Sequence, residues 1–250
     1  MSSHRGRPRP NRHGRFGEVK PPIWARPEPR ARGRGAALSL DQIADVALAI
    51  ADAEGLDAVS IRRIARELGS GAMSLYHYFD SRDELLDLMS DRVAAEMVVP
   101  ELPTEWRPAL RAIAFQSRDT FRRHPWLHSA LRSSPRVTPN LLRHIEQSSQ
   151  AVAGLDADGI DPKLLAGIVV AVDDYTIGFT VREAVVEDPS NRAAGIADAL
   201  QEPYVRALLE SGEFPLLSEF IGDDVDLEIE DRFELGLDWL LDGFAARIGR

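Results

Sequence analysis

Met73, Ser74 and His77 share one side of a short segment, flanked by Tyr76 and Tyr78, and so turn a thioether, a hydroxyl, an imidazole and two phenols outward. Such groups on a ridge narrow enough to enter a groove can recognise nucleic acid. They hydrogen-bond to phosphates and base edges, and make apolar contact with thymine methyls. The ridge faces outward because Leu75 and Phe79 stack one turn apart on the opposite side, with Ala72 behind them. In the preceding segment Ile61, Ile64, Ala65 and Leu68 recur at i, i+3, i+4 and i+7, which puts all four on one buried helical face. Gly69 lies between the two segments, where a helix commonly ends in a left-handed residue. Two apolar-striped helices joined there make a helix-turn-helix whose second helix is the reader.

Two further helices must hold that pair. Ser39 to Gln42 fits an S-x-x-Q capping box, and the helix it opens carries Ile43, Val46, Ala47 and Ile50 before Gly55 ends it. Ser81 to Glu84 is a second box, S-x-x-E, opening a helix with Leu85, Leu86, Leu88, Met89 and Val93 on a broad apolar face that can dock onto the C-terminal part of the chain.

Leu40 to Met97 resembles the N-terminal domain of TetR-family transcriptional regulators. The matching positions are Ala47, Ile50, Gly55, Leu56, Val59, Ser60, Ile61, Arg62, Ile64, Ala65, Leu68 and Gly69, then Ser74, Leu75, Tyr76, Tyr78 and Phe79, then Arg82, Leu85 and Leu86. The resemblance implies an all-α chain: an N-terminal three-helix helix-turn-helix domain plus a C-terminal helical domain for ligand binding and dimerisation. It implies double-stranded operator DNA as partner. Arg62 then corresponds to a base-reading arginine, with guanine the usual bidentate target. Ala72, Met73 and His77 correspond to base-facing positions, and Ser60, Ser74, Tyr76, Tyr78 and Arg82 to positions that hold phosphates. Taken from the residues alone, Tyr76 and Tyr78 also fit the edge of a small core.

The chain has 250 residues, 44% of them hydrophobic, enough for two domains with cores of their own. No apolar run is expected to span a bilayer. With no cysteine, disulfides and thiolate metal sites are excluded, and a reducing cytoplasm suits the chain. The net charge of -10 is unevenly spread. Residues 1–35 hold ten Arg or Lys against two Glu, whereas Leu38 to Ala95 holds five Arg against eleven acidic residues. Residues 1–37 therefore read as a disordered, basic Arg/Pro/Gly-rich arm that adds phosphate contacts, or as a solvated tail. Residues 38–98 form the DNA-binding domain and 104–250 the effector-binding and dimerisation domain.

In the second domain the Thr138-Pro139 and Asp161-Pro162 pairs mark helix starts. Helices are expected near Glu105 to Arg123, Pro125 to Arg132, Pro139 to Leu155, Pro162 to Val186, Glu202 to Ser211 and Leu227 to Ile248, with a loop over Asp188 to Ala199. The stripe Leu164, Leu165, Ile168, Val172, Tyr175 and Phe179, and the stripe Ile229, Phe233, Leu237, Leu240, Phe244 and Ile248, read as faces for a second copy, or as an ordinary intrachain core. The last helix resembles the C-terminal helix of the tetracycline-repressor class, where two helices per subunit form a four-helix dimer interface. Phe115, Arg118, Trp126, Leu131, Ile145, Ile168, Val172, Tyr175 and Phe179 are candidates to line a cavity for a small-molecule effector, or to fill a dry core. Ala130 stands where the tetracycline repressors carry a metal-chelating histidine, so a tetracycline–magnesium ligand is not expected. His124 and His128 have the i, i+4 spacing of a metal pair, but no third ligand is set by spacing, and neither metal nor cofactor is expected. An enzyme using that pair, or Asp173 and Asp174, lacks any nucleophile elbow, phosphate loop or nucleotide fingerprint. An architectural DNA-binding protein without an effector is a third class.

Overall fold

The computed structural model describes residues 21–26, 38–133, 136–155, 159–187, 200, 202–220 and 228–249. Most of the basic arm and the expected loop from Asp188 to Ala199 lie outside them. Among the described residues the regular elements are helical: α1 Leu40–Glu54, α2 Ile61–Glu67, α3 Ala72–Leu75, α4 Arg82–Glu96, α5 Trp106–Arg123, α6 Leu127–Ser133, α7 Pro139–Ala153, α8 Pro162–Glu187, α9 Pro203–Glu210, α10 Pro215–Phe220 and α11 Ile229–Ile248. Short 3-10 turns cover Ile23–Ala25 and Leu56–Ala58. The α10 helix and both turns have no counterpart among the expected elements.

The capping signals act as their chemistry dictates. Gln42 N donates to Ser39 Oγ at 3.1 Å while Ser39 N donates to the Gln42 side chain at 3.0 Å, so both ends of the first box close. In the second box Ser81 Oγ accepts from Glu84 N at 3.2 Å, but the Glu84 carboxylate accepts from Asp80 N instead, at 2.8 Å. Thr138 caps α7 with Pro139 at its first position.

Two apolar clusters divide the molecule. One joins α1 to α4 and reaches into Phe121, Trp126, Leu127 and Ala130, so α6 belongs by packing to the first domain. The other joins α5, α7, α8 and α11 around Leu110, Ile168, Phe233 and Leu237. The α5 and α11 helices run antiparallel, locked by an ion-pair ladder: Arg107 meets Asp242, Arg111 meets Asp238 and Glu234, and Arg122 meets Glu230. The partners fall from Asp242 to Glu230 along α11 as the arginines rise from 107 to 122 along α5, as two antiparallel helices in contact require. Gly236 is needed at their junction with α8, since a Cβ there would stand 2.4 Å from the Tyr175 hydroxyl, which donates to Phe233 O at 2.9 Å.

Three expectations are corrected by the fold. Pro162–Val186 is long and apolar enough to cross a membrane by length and composition, with a mean hydropathy of 1.6. Its leucines, isoleucines and valines produce that value, and Asp173 and Asp174 interrupt it midway. The two stripes read as partner faces point largely into their own subunit, where Phe233 and Leu237 are fully buried and Ile168 and Val172 nearly so. Pro21 to Arg26 departs from the disordered arm: it forms an ordered turn with Ile23 1% exposed in the first core.

Candidate nucleic-acid interface and effector cavity

Leu75 and Phe79 are buried at 0% and 1% exposure against Ile64 and Ala65, which anchors the ridge on α2. Gly69 takes the left-handed conformation, φ 62°, and lets the chain turn between them. The helical part of the ridge is shorter than its stripe. After α3 the bonds tighten to i→i−3, with His77 N on Ser74 O at 3.3 Å and Tyr78 N on Leu75 O at 2.9 Å. Met73, Ser74, Tyr76 and His77 remain exposed, Met73 at 76% and Tyr76 at 48%. Ser60, Arg62 and Arg82 are exposed too, and Ala72 is half-buried.

Several of these groups also hold the domain together. Ser60 caps α2 by accepting from Arg63 N at 3.2 Å. Arg82 donates to Leu56 O at 3.1 Å and so ties α4 to the turn before α2. Tyr78 differs from its expected phosphate role: it is half-buried and its hydroxyl donates to Leu38 O at 2.6 Å, which leaves its oxygen an acceptor. Arg63 is taken by Glu54 and Glu67, whose hydrogen bonds push its pKa up.

The α4 helix links this interface to the second domain. Asp91 accepts from the backbone and the side-chain amide of Asn140, each at 2.8 Å, at the start of α7. Buried Asp87 pairs with Arg136 at 3.0 Å. Asp52 on α1 accepts from Trp126 Nε1 at 2.7 Å and lies 2.7 Å from His124 Nδ1, while Glu96 faces His124 Nε2 at 3.4 Å and also Arg123.

Between α5, α7 and α8 lies a cavity of about 10 Å³, room for one water, walled by Leu110, Ile113, Ala114, Val169 and Val172. Its polar end is formed by Ser117, His144, Ser148, Asp173 and Thr176. Ser117 Oγ and His144 Nδ1 are buried without a hydrogen-bond partner among the described residues. Ser148 and Thr176 spend their protons on the carbonyls of His144 and Val172, at 3.0 and 2.8 Å, and offer only lone pairs to the space.

Of the nine expected lining residues only Val172 borders this cavity. Phe115, Tyr175 and Phe179 instead gather around the Phe233 ring, over which the Arg118 guanidinium sits at 4.7 Å. Arg118 is buried and bound to buried Glu183, with an Nε bond of 3.1 Å. Trp126 and Leu131 pack with the first domain, Ile168 sits in the second core, and Ile145 is 44% exposed. The cavity residues Ser117, His144, Ser148 and Thr176 carry a signal that sequence reasoning missed, polar groups on buried helical faces. His124 and His128 diverge: His128 stacks on Phe121 at 4.5 Å, and burial holds its pKa below the ordinary imidazole range against a smaller upward pull from the Thr180 backbone. Among the described residues no three His, Asp or Glu side chains group to hold a metal ion.

Residues 43–89 match the profile of bacterial regulatory proteins of the tetR family, and residues 99–248 that of the tetracyclin repressor-like C-terminal domain. The chain belongs to the TetR family. It is a DNA-binding transcriptional regulator with the N-terminal helix-turn-helix of that family. It is 34% identical over 234 residues to the HTH-type transcriptional repressor DrrR1 of Streptomyces coeruleorubidus, covering 91% of this chain and 85% of that one. Apo ActR from Streptomyces coelicolor is 32% identical with a TM-score of 0.69, over 86% of this chain and 99% of ActR. ActR in complex with actinorhodin superposes with the same score over 85% and 97%. Tetracycline repressor class E of Escherichia coli is 25% identical over 219 residues, 85% of this chain and 93% of its own.

Proposed function

We propose that this TetR-family chain is a homodimeric repressor that a small, largely apolar effector releases from its operator. The observation that carries the reading is the exposed ridge Met73 to His77, set on α2 by Leu75 and Phe79 and joined through α4 to a helical domain whose interior holds unpaired polar atoms. Arg62, Ala72, Met73 and His77 face bases, and Ser60, Ser74, Tyr76 and Arg82 face phosphates.

The effector enters between α5, α7 and α8 and parts them, because the space there is too small for more than a hydroxyl group. Buried polar atoms without partners cost on the order of 1–3 kcal/mol each, so a ligand that satisfies Ser117 and His144 gains affinity from it. The lone pairs of Ser148 and Thr176 and the Asp173 carboxylate favour a hydrogen-bond donor over a carboxylate. That ActR is known in complex with actinorhodin supports a small-molecule effector. His144 and Ser148 lie one and two turns along α7 from Asn140, whose bonds to Asp91 carry a shift of α7 to α4 and the ridge. Coupling is reciprocal: operator DNA weakens effector binding by the same factor.

Dimerisation is supported by the faces of α8 and α11 that their own core leaves uncovered. Val170, Val181, Val185 and Val186 on α8 and Trp239 on α11 are 42 to 66% exposed, and a Cβ at Gly167, Gly178 or Gly243 would meet nothing within 4 Å among the described residues. An apolar face of that kind marks a partner site.

The test is selection of bound fragments from the genomic DNA, followed by anisotropy titration of the selected duplex with and without candidate effectors. A repressor of this kind binds that duplex orders of magnitude more tightly than random DNA and lets go when effector is added. Equal affinity for both duplexes would point to the architectural reading.

A further inference from the structure

Pro21 to Arg26 precedes both matched family segments, yet it is built into the DNA-binding domain. Ile23 is buried among α1 to α4, and Trp24 packs on the same cluster. Arg26 Nε donates to the Pro21 carbonyl at 2.7 Å and closes the turn on itself. Its two remaining nitrogens donate to the two carboxylate oxygens of Glu84, Nη1 at 2.9 Å, and Nη1 stands 3.5 Å from Asp80. The pair is sheltered: the Arg26 and Glu84 side chains are 17% and 15% exposed.

Position gives this contact its meaning. Asp80 directly follows Phe79 at the exit of the reading ridge, and Glu84 lies in the first turn of α4 beside Arg82. A duplex seated on the ridge brings phosphates toward the same corner. The domain carries eleven acidic residues against five arginines between Leu38 and Ala95, so a bare carboxylate here opposes association. Glu84 also accepts from Asp80 N, so the bidentate fork that fixes its carboxylate fixes the link between ridge and α4 as well.

We infer that Arg26 is a positioning residue for operator binding, which neutralises Asp80 and Glu84 where DNA phosphates approach and holds the start of α4 against the reading ridge. The turn Pro21 to Arg26 is thus a working part of the DNA-binding unit, anchored by Ile23. This inference rests on the operator-binding reading, and its test separates the two.

The 250-residue wild type, Arg26→Ala, Arg26→Lys and the double variant Arg26→Ala/Glu84→Gln are titrated against the selected operator duplex from about 50 to about 300 mM salt, with thermal melting in parallel. Arg26→Ala is expected to weaken binding about tenfold at the lowest salt and only about twofold at the highest, because repulsion between carboxylates and phosphates is screened. Glu84→Gln in that background keeps an acceptor for Asp80 N while removing a charge, and is expected to restore most of the loss. Arg26→Lys keeps the charge but loses the two-pronged contact, and is expected to bind between wild type and Arg26→Ala. A loss that ignores salt and is not restored by Glu84→Gln, a Lys variant as weak as Ala, or no loss at all would overturn the inference while leaving operator binding intact. A wild type that binds no duplex would overturn both.

Discussion

The Arg118–Glu183 pair offers a test of how the second domain is held together. Arg118 on α5 and Glu183 on α8 have side chains 5% and 1% exposed, and the guanidinium lies over the rings of Phe179 and Phe233. Removing one partner of a buried pair leaves the other charge stranded, at a cost of about 3–5 kcal/mol. Glu230, 3.8 Å from Arg118 and 57% exposed, can take up part of the stranded charge, which favours the lower end of that range. Glu183→Ala should therefore lower stability by about 3 kcal/mol, or roughly 10 °C in melting temperature for a chain of this size. Replacing both residues with Met removes both charges and keeps the volume, and should cost far less than the two single changes added together. The assay is urea and thermal unfolding at one fixed protein concentration, since a dimer's apparent stability depends on it. A single variant as stable as wild type, or a double variant whose loss equals the sum, would refute this.

The same geometry has other consequences. Arg62→Ala and Tyr76→Ala should each cost about 1–3 kcal/mol of operator affinity with dimerisation intact, measured by anisotropy and sedimentation. Val170→Asp places a charge on the uncovered face of α8 and should shift sedimentation from dimer to monomer with little change in helix content. His128 has its pKa lowered in the fold, so its contribution is present above the ordinary imidazole pKa near about 6.5 and is lost as pH falls through that range. Melting temperature should thus drop between about pH 7 and about pH 5, and drop less in His128→Phe.

The first domain was legible because its signals are local. A serine three residues before Gln42, a glycine at position 69 and apolar residues spaced for one face depend on no distant partner, and each reappears in the fold. The helices of the second domain were legible for the same reason, from Thr138-Pro139 and Asp161-Pro162. What the sequence hides is convergence across helices. Arg118 meets Glu183 sixty-five positions away, and Trp126 turns from the second domain to Asp52 of the first, because packing angles decide such meetings and no spacing encodes them. The cavity was missed for that reason, and Ile23 because one buried residue in an Arg- and Pro-rich stretch has no period to reveal it. The shortened α3 is a smaller case: its stripe persists through a tightened turn, so periodicity overstated the helix.

The central claim is that the Met73 to His77 ridge enters DNA. Met73→Glu puts a carboxylate at its most exposed apolar position, where the fold has little to lose. Titrated against the selected operator at fixed salt, this variant should bind at least about thirtyfold more weakly while melting at the wild-type temperature. Undiminished operator affinity would contradict the account.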